Sequence, residues 1–378
     1  MKRIKFKFRD MNIADVTISR NTIIVNEIYD TKLNTIISNM DVFIRSRLKY
    51  NNRSNVVRLL KRLGICDIET YVYKTKAVSF TDCFWASYGS EKWDDININK
   101  PENYIGNEYN ELAGRPDIYS RTPEPQSGGT FEKYWRRDKN QIYLLKRSSE
   151  KWSESSGNES YSEVLCNQLE EFMDVQNYVK YSCKEYNYIY RGNNYRYIVS
   201  KSLKFTSENK SFIPIEFINT DINSIDALYD YFCSIGSEKL YLQMVLLDAL
   251  VMNPDRHTEN FGIILDKDLN ITGMAPIFDN NLALAPSVII KNRNINQIEK
   301  DLGFKYPNRH LFDNFFEQGC WVLNKDKSIY DLLDNIYHNF RFERPLGAES
   351  LSDGRIVFCN YILHRQISGI INLYKSIK

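Results

Sequence analysis

The run LYLQMVLLDALVM, from Leu240 to Met252, is almost wholly apolar, and it constrains the fold of this chain more than any other stretch. It falls short of the roughly twenty apolar residues needed to cross a bilayer, so it reads as a helix buried in protein. Soon after it stand Asp255, Arg256, His257, Glu259 and Asn260, and then FGIIL is apolar again. Polar side chains held between two buried segments cost free energy unless they are paired or used. A buried helix that delivers such a cluster marks a candidate site.

Composition bounds the rest. A chain of 378 residues has room for two or three modules, and a hydrophobic share of 43% allows a real core. Lys plus Arg (50) nearly balances Asp plus Glu (48), for a net charge of +2. That balance gives no electrostatic case for direct nucleic-acid or membrane-surface binding. The start, MKRIKFKFRD, alternates basic and apolar residues and lacks the apolar centre of a signal peptide, so a cytoplasmic protein is expected. Seven scattered cysteines without a Cys-x-x-Cys pair suit reduced thiols, and the dispersed histidines predict no zinc site.

Residues 3–28 read as strands, and 33–63 as helical with Gly64 as the stop. Residues 89–129 are rich in Pro, Gly, Asn and Asp and read as a long irregular connection. TFEKYW and QIYLLKR then read as two strands joined by RRDKN. A helix, ESYSEVLCNQLEEFM, follows, and then a strand pair, YVKYSCKEYN and YRYIVSKSL, joined by GNN. After Ser207 the pattern is mostly helical, at about 224–235, 238–252, 311–323, 327–340 and 355–376. The expected class is α+β and bilobal, with an accessory region at 1–115, a small β-rich N-lobe at 116–203 and a larger, all-helical C-lobe at 204–378. Small-molecule sites tend to form between two lobes.

Four features fall in order along this layout. SGGT, Ser127 to Thr130, puts Gly128 and Gly129 in a turn whose backbone N–H groups are suited to phosphate. Lys146 follows on a strand, where its ammonium suits α- and β-phosphates. The next helix carries Glu163 beside its apolar face, placed to hold that lysine, while Glu159, Glu170 and Glu171 are expected on the solvated face. Asp255 and Asn260 then have the D-x-x-x-x-N spacing of a kinase catalytic loop, and Asp279 follows an apolar run as a second carboxylate. Each alone has an ordinary explanation: a turn, an edge lysine, a solvated acid, a surface loop. Their order points to phosphoryl transfer, whose catalysis is largely positioning and charge neutralisation.

NPDRHTENFG (253–262) and APIFDNNLAL (275–284) resemble the HipA-like Ser/Thr kinase family, whose form is N-x-D-R-H-x-x-N-x-G followed by P-x-[YF]-D. SGGTFEK, IYLLKR and YSEVLCNQLEEFM are similar to that family's phosphate loop, ATP lysine and glutamate helix. The resemblance implies a protein-kinase-like fold and transfer of the ATP γ-phosphate to Ser or Thr of a protein substrate. It implies Asp255 as the catalytic Asp, Asn260 and Asp279 as Mg2+ ligands, Lys146 as the phosphate lysine and Glu163 as its partner, with a hinge near Val199 to Leu203. It further implies a toxin or effector held by an antitoxin, with DNA binding left to that separate protein. Autophosphorylation in the glycine loop would fall on Ser127 or Thr130, because Gln126 stands where the family's serine aligns. Arg256 and His257 are expected to brace the loop. Two rivals stand beside this reading. One is a kinase of the same fold acting on a small molecule or lipid, which a tight polar acceptor pocket would favour. The other is a non-catalytic ATP-binding pseudokinase, disfavoured because Lys146, Asp255, Asn260 and Asp279 are all present.

Overall fold

The computed structural model describes residues 1–49, 64–100, 103, 133–149, 151, 153, 156–190, 192–308 and 311–378. The expected helix at 50–63 and the glycine turn at 127–130 lie outside them. The chain is mixed α+β with small antiparallel sheets. It forms two compact units, each assembled from three stretches of sequence.

The first unit comprises 1–145, 203–220 and 262–273. Strands β1 (Lys2–Phe8), β2 (Met11–Ile18), β3 (Ile23–Ile28) and β4 (Phe84–Ser87) pair in the order β3-β2-β1-β4. Alternation along β1 buries Ile4, Phe6 and Phe8, and Phe6 stacks on Phe84 at 5.6 Å between ring centres. Short helices α1 (Thr31–Ile36), α2 (Met40–Leu48) and α3 (Ile68–Thr75) start at Asp30, Asn39 and Asp67. Each of these side chains accepts a main-chain N–H of the first turn, which satisfies a donor the helix leaves open. A one-turn helix α4 (Trp93–Ile96) precedes the hairpin strands β5 (Lys133–Asp138) and β6 (Gln141–Arg147). The hairpin turn is Lys139–Asn140, shorter than RRDKN, because Arg136, Arg137 and Asp138 continue the strand.

The region after residue 204 is not all helical, which corrects the sequence expectation. Strands β9 (Ser211–Pro214), β10 (Gly262–Leu265) and β11 (Ile271–Met274) form a sheet in the order β11-β10-β9. They are four residues each and lie between strong helical signals, so periodicity hides them. Gly262, the last residue of the NPDRHTENFG stretch, opens β10. A Cβ there would lie 2.1 Å from the Ile213 carbonyl oxygen, so the close strand approach requires glycine.

The second unit comprises 146–202, 221–261 and 274–378. It holds α5 (Glu159–Phe172), the hairpin β7 (Tyr181–Tyr190) and most of β8 (Asn193–Leu203), α6 (Ile225–Ser234) and α7 (Glu238–Val251). Then come α8 (Ile295–Lys305), α9 (Phe315–Lys325), α10 (Ile329–Asn339) and α11 (Asp353–Ile377). Helix α8 lies in a stretch for which sequence periodicity predicts no element. Helix α7 is buried from Tyr241 to Val251, as its apolar run requires, and α9 and α11 pack with it. Gly319 of α9 lets α11 close in, since a Cβ there would sit 2.3 Å from Ile370 Cδ1. Among the described residues no helix is long and apolar enough to cross a membrane. All seven cysteines are free thiols.

Candidate active site

Lys146, Glu163, Asp255, Asn260 and Asp279 all belong to the second unit. Lys146 stands near the end of β6, buried beside Leu145. Two residues on, the Ser148 hydroxyl accepts the N–H of Ser160 at 2.8 Å, in the first turn of α5. That bond fastens the start of the glutamate helix to the lysine's strand. Along α5, Glu163, Cys166 and Glu170 recur at helical spacing, and all three are fully buried.

Lys146 Nζ lies 2.6 Å from Glu163 Oε1 and 2.8 Å from Asp279 Oδ1. Its ammonium also lies 5.3 Å from the centre of the Tyr181 ring. The Tyr181 hydroxyl accepts the Asp279 N–H at 3.3 Å and so helps hold that residue in the left-handed region, at φ 64°. Burial alone would lower the Lys146 pKa, but the charges of Asp279 and Glu163 overcome it and hold the ammonium well above its ordinary value. Burial pushes the Glu163 carboxyl up, Lys146 pulls it down, and the Asp279 charge pushes it up again.

The loop carrying Asp255 and Asn260 is built from the end of α7. Met252 closes that helix in a left-handed cap, its N–H on the Asp248 carbonyl. Asn253 Nδ2 donates to Asp248 Oδ1 at 2.9 Å, and Asn253 Oδ1 accepts the Asp255 N–H at 3.2 Å. Asn260 Nδ2 donates to the Asp255 carbonyl at 3.0 Å. This bond engages the nitrogen end of the Asn260 amide and sets Oδ1 as its remaining ligand atom. Asn260 is buried, whereas Asp255 is partly open to solvent.

Arg256 braces this loop, as expected. Its Nε and Nη2 meet Asp248 Oδ2 and Oδ1 at 2.9 and 3.0 Å, and Nη2 reaches Asn280 Oδ1 at 2.6 Å. Nη1 donates to the Asn260 carbonyl at 3.3 Å and to the Phe278 carbonyl. One guanidinium thus ties the loop to α7 and to the Asp279 segment. His257 is exposed, and its Nδ1 accepts the Glu259 N–H at 3.3 Å within the loop.

Two acids assigned to the solvated face are buried. Glu159 accepts from the Ser149 hydroxyl at 2.9 Å, and Glu170 accepts from Asn167 Nδ2 at 2.6 Å and from Asn280 Nδ2 at 3.3 Å. Burial pushes the Glu170 carboxyl up to about 8. Only Glu171 of the three is exposed. Sequence reading also passed over Tyr181, Asp248 and Asn280. Asp248 carried a signal, as the one charged residue in LYLQMVLLDALVM, since an acid in an apolar helix requires a buried partner.

Among the described residues no three His, Cys, Asp or Glu side chains gather as a metal site. Asn260 and Asp279 offer oxygen donors only. That set fits Mg2+ held together with nucleotide phosphates, rather than in an all-protein cage.

No protein-family model matches the chain, and no curated protein matches it. Among solved structures, it is similar to HipA of the Shewanella oneidensis MR-1 toxin–antitoxin system, solved with HipB and operator DNA. The identity is 12% over 99% of this chain and 100% of that chain, with a TM-score of 0.52. It is also similar to the Helicobacter pylori proinflammatory kinase CtkA, with 17% identity over 66% of this chain and 92% of that chain and a TM-score of 0.42. The likeness to HipA shows a shared fold, the one the sequence resemblance implied.

Proposed function

We propose that the protein is an ATP- and Mg2+-dependent phosphotransferase of HipA type, acting on Ser or Thr of a protein substrate. The observation that carries this is Lys146 Nζ held between Glu163 and Asp279, at 2.6 and 2.8 Å, in the compact unit that also contains the Asp255–Asn260 loop. An ammonium kept charged by two carboxylates is suited to bind nucleotide phosphates, and Glu163 keeps it oriented. Asp255, partly open to solvent, accepts the proton of the acceptor hydroxyl. Asn260 and Asp279 supply oxygen ligands. Mg2+, when bound, would neutralise charge on the transferred phosphoryl group.

In this reading residues 116–203 contribute the phosphate loop and Lys146, and 204–378 contribute Asp255, Asn260 and Asp279. Ser127 to Thr130 cover the phosphates, and Ser127 or Thr130 takes the regulatory phosphate. An antitoxin partner and a cytoplasmic setting complete the proposal. The HipB-bound HipA of the same fold supports the first, and the absence of a membrane-length helix among the described residues is compatible with the second.

The test is nucleotide affinity with and without Mg2+. Wild type binds ATP more tightly with the metal, and Asp279→Ala loses that metal-dependent gain. Equal affinities in all four conditions contradict the proposal.

A further inference from the structure

Resting on the kinase reading, we propose that Asn280 is a positioning residue that couples helix α5 to the loop bearing Asp255 and Asn260, with Glu170 as its counterpart on the helix. Asn280 is fully buried, and three of its polar atoms each hold a different group. Its N–H donates to Glu163 Oε2 at 3.1 Å, its Nδ2 donates to Glu170 Oε1 at 3.3 Å, and its Oδ1 accepts from Arg256 Nη2 at 2.6 Å. Glu163 is the residue that holds Lys146, and Arg256 is the residue that braces the loop. One residue therefore joins the lysine's partner, through its main-chain N–H, to the catalytic loop, through its side-chain amide. A shift of α5, carried to Asn280 by Glu163 and Glu170, would be felt at Asn260 through two further hydrogen bonds, Arg256 to the Asn280 side chain and Arg256 to the Asn260 carbonyl.

The Glu170 arm gives this coupling a separable handle. The titratable and charged groups near Glu170 are Glu163 and Cys166 of its own helix, Arg256 of the loop and Tyr178 of the segment before β7. Asn167 and Asn280 hydrogen-bond to it directly. Asn280→Asp keeps an oxygen for Arg256 and replaces only the amide nitrogen that faces Glu170. Two carboxyls at that spacing share a proton at low pH and repel once it leaves. Adding Glu170→Gln restores a donor on the opposite side of the pair.

The experiment is amide hydrogen exchange by mass spectrometry on the full chain, compared with phosphotransfer in the same proteins. At about pH 9, corrected for intrinsic exchange, Asn280→Asp should speed exchange of the 253–262 peptide about tenfold or more and leave α11 peptides unchanged. At about pH 6 the effect should shrink, and Asn280→Asp with Glu170→Gln should stay within about twofold of wild type at both values. Asn280→Ala, which adds no charge, should loosen the same peptide at either pH. Wild-type exchange in Asn280→Ala, or a double variant as loose as Asn280→Asp alone, overturns the coupling. Exchange needs no nucleotide, so the two proposals fail separately. Loss of phosphotransfer from wild type itself overturns the kinase reading and leaves the coupling standing. Phosphotransfer with unmoved exchange does the reverse.

Discussion

Two buried ion clusters lie in the second unit, and they are built differently. At Arg256, one guanidinium forks onto the Asp248 carboxylate and donates to three neutral oxygens, those of Asn280, Asn260 and Phe278, while the charges of Asp279 and Glu170 also act on it. At Lys146, one ammonium faces two carboxylates, Glu163 and Asp279. The first is fixed by a planar fork on Asp248, which suits a brace. The second sets two carboxylates around one buried ammonium. That arrangement accommodates a further cation and a ligand rich in phosphate, which suits a working site. The contrast teaches that two buried cations of one unit can be held differently, one by a fixed fork and one between two carboxylates.

Breaking the brace should have the largest effect on stability. Arg256→Ala leaves Asp248 buried with Asn253 as its one side-chain partner among the described residues, and should cost about 3–5 kcal/mol in urea unfolding. Lys146→Met should cost less, about 1–3 kcal/mol, because the Glu163 carboxyl, already pushed up by burial, takes a proton once its partner is gone. The same variant should lose nucleotide binding. A larger penalty for Lys146→Met than for Arg256→Ala would invert the comparison.

A smaller effect concerns Glu170, which lies between the clusters through Asn280. Its carboxyl stands at about 8 in the folded chain against an ordinary 4.5. Between those values the unfolded chain has released the proton and the folded chain keeps it. Stability therefore falls as pH rises through that window and levels off outside it. Glu170→Gln should remove at least about 1.4 kcal/mol of the fall across this window. Melting against pH for both proteins reads it. Parallel curves would remove Glu170 from the account.

The sequence made parts of this legible for physical reasons. The long apolar run of α7 and the Asp255–Asn260 spacing are local signals, and both elements lie where the pattern places them. Lys146, Glu163 and Asp279 are distant in sequence, and order along the chain brought them together only as a hypothesis. The inward turn of Glu159 and Glu170 was not legible, since acids on a helix ordinarily mark its wet face. Their partners, Ser149, Asn167 and Asn280, become apparent only in three dimensions. The short strands β9 to β11 were hidden because four residues are too few for a period to register.

The central claim is that Asp255 handles the proton of a transferred phosphoryl group's acceptor. Asp255→Asn is nearly isosteric and should keep the loop bonds that run through its main chain, from its N–H to Asn253 and from Asn260 to its carbonyl. The decisive measurement is γ-phosphate transfer from labelled ATP to protein in a cell extract, wild type against Asp255→Asn, with melting temperature and ATP affinity as controls. Transfer should fall by about two to four orders of magnitude while both controls hold. Near-wild-type transfer by Asp255→Asn would contradict the account.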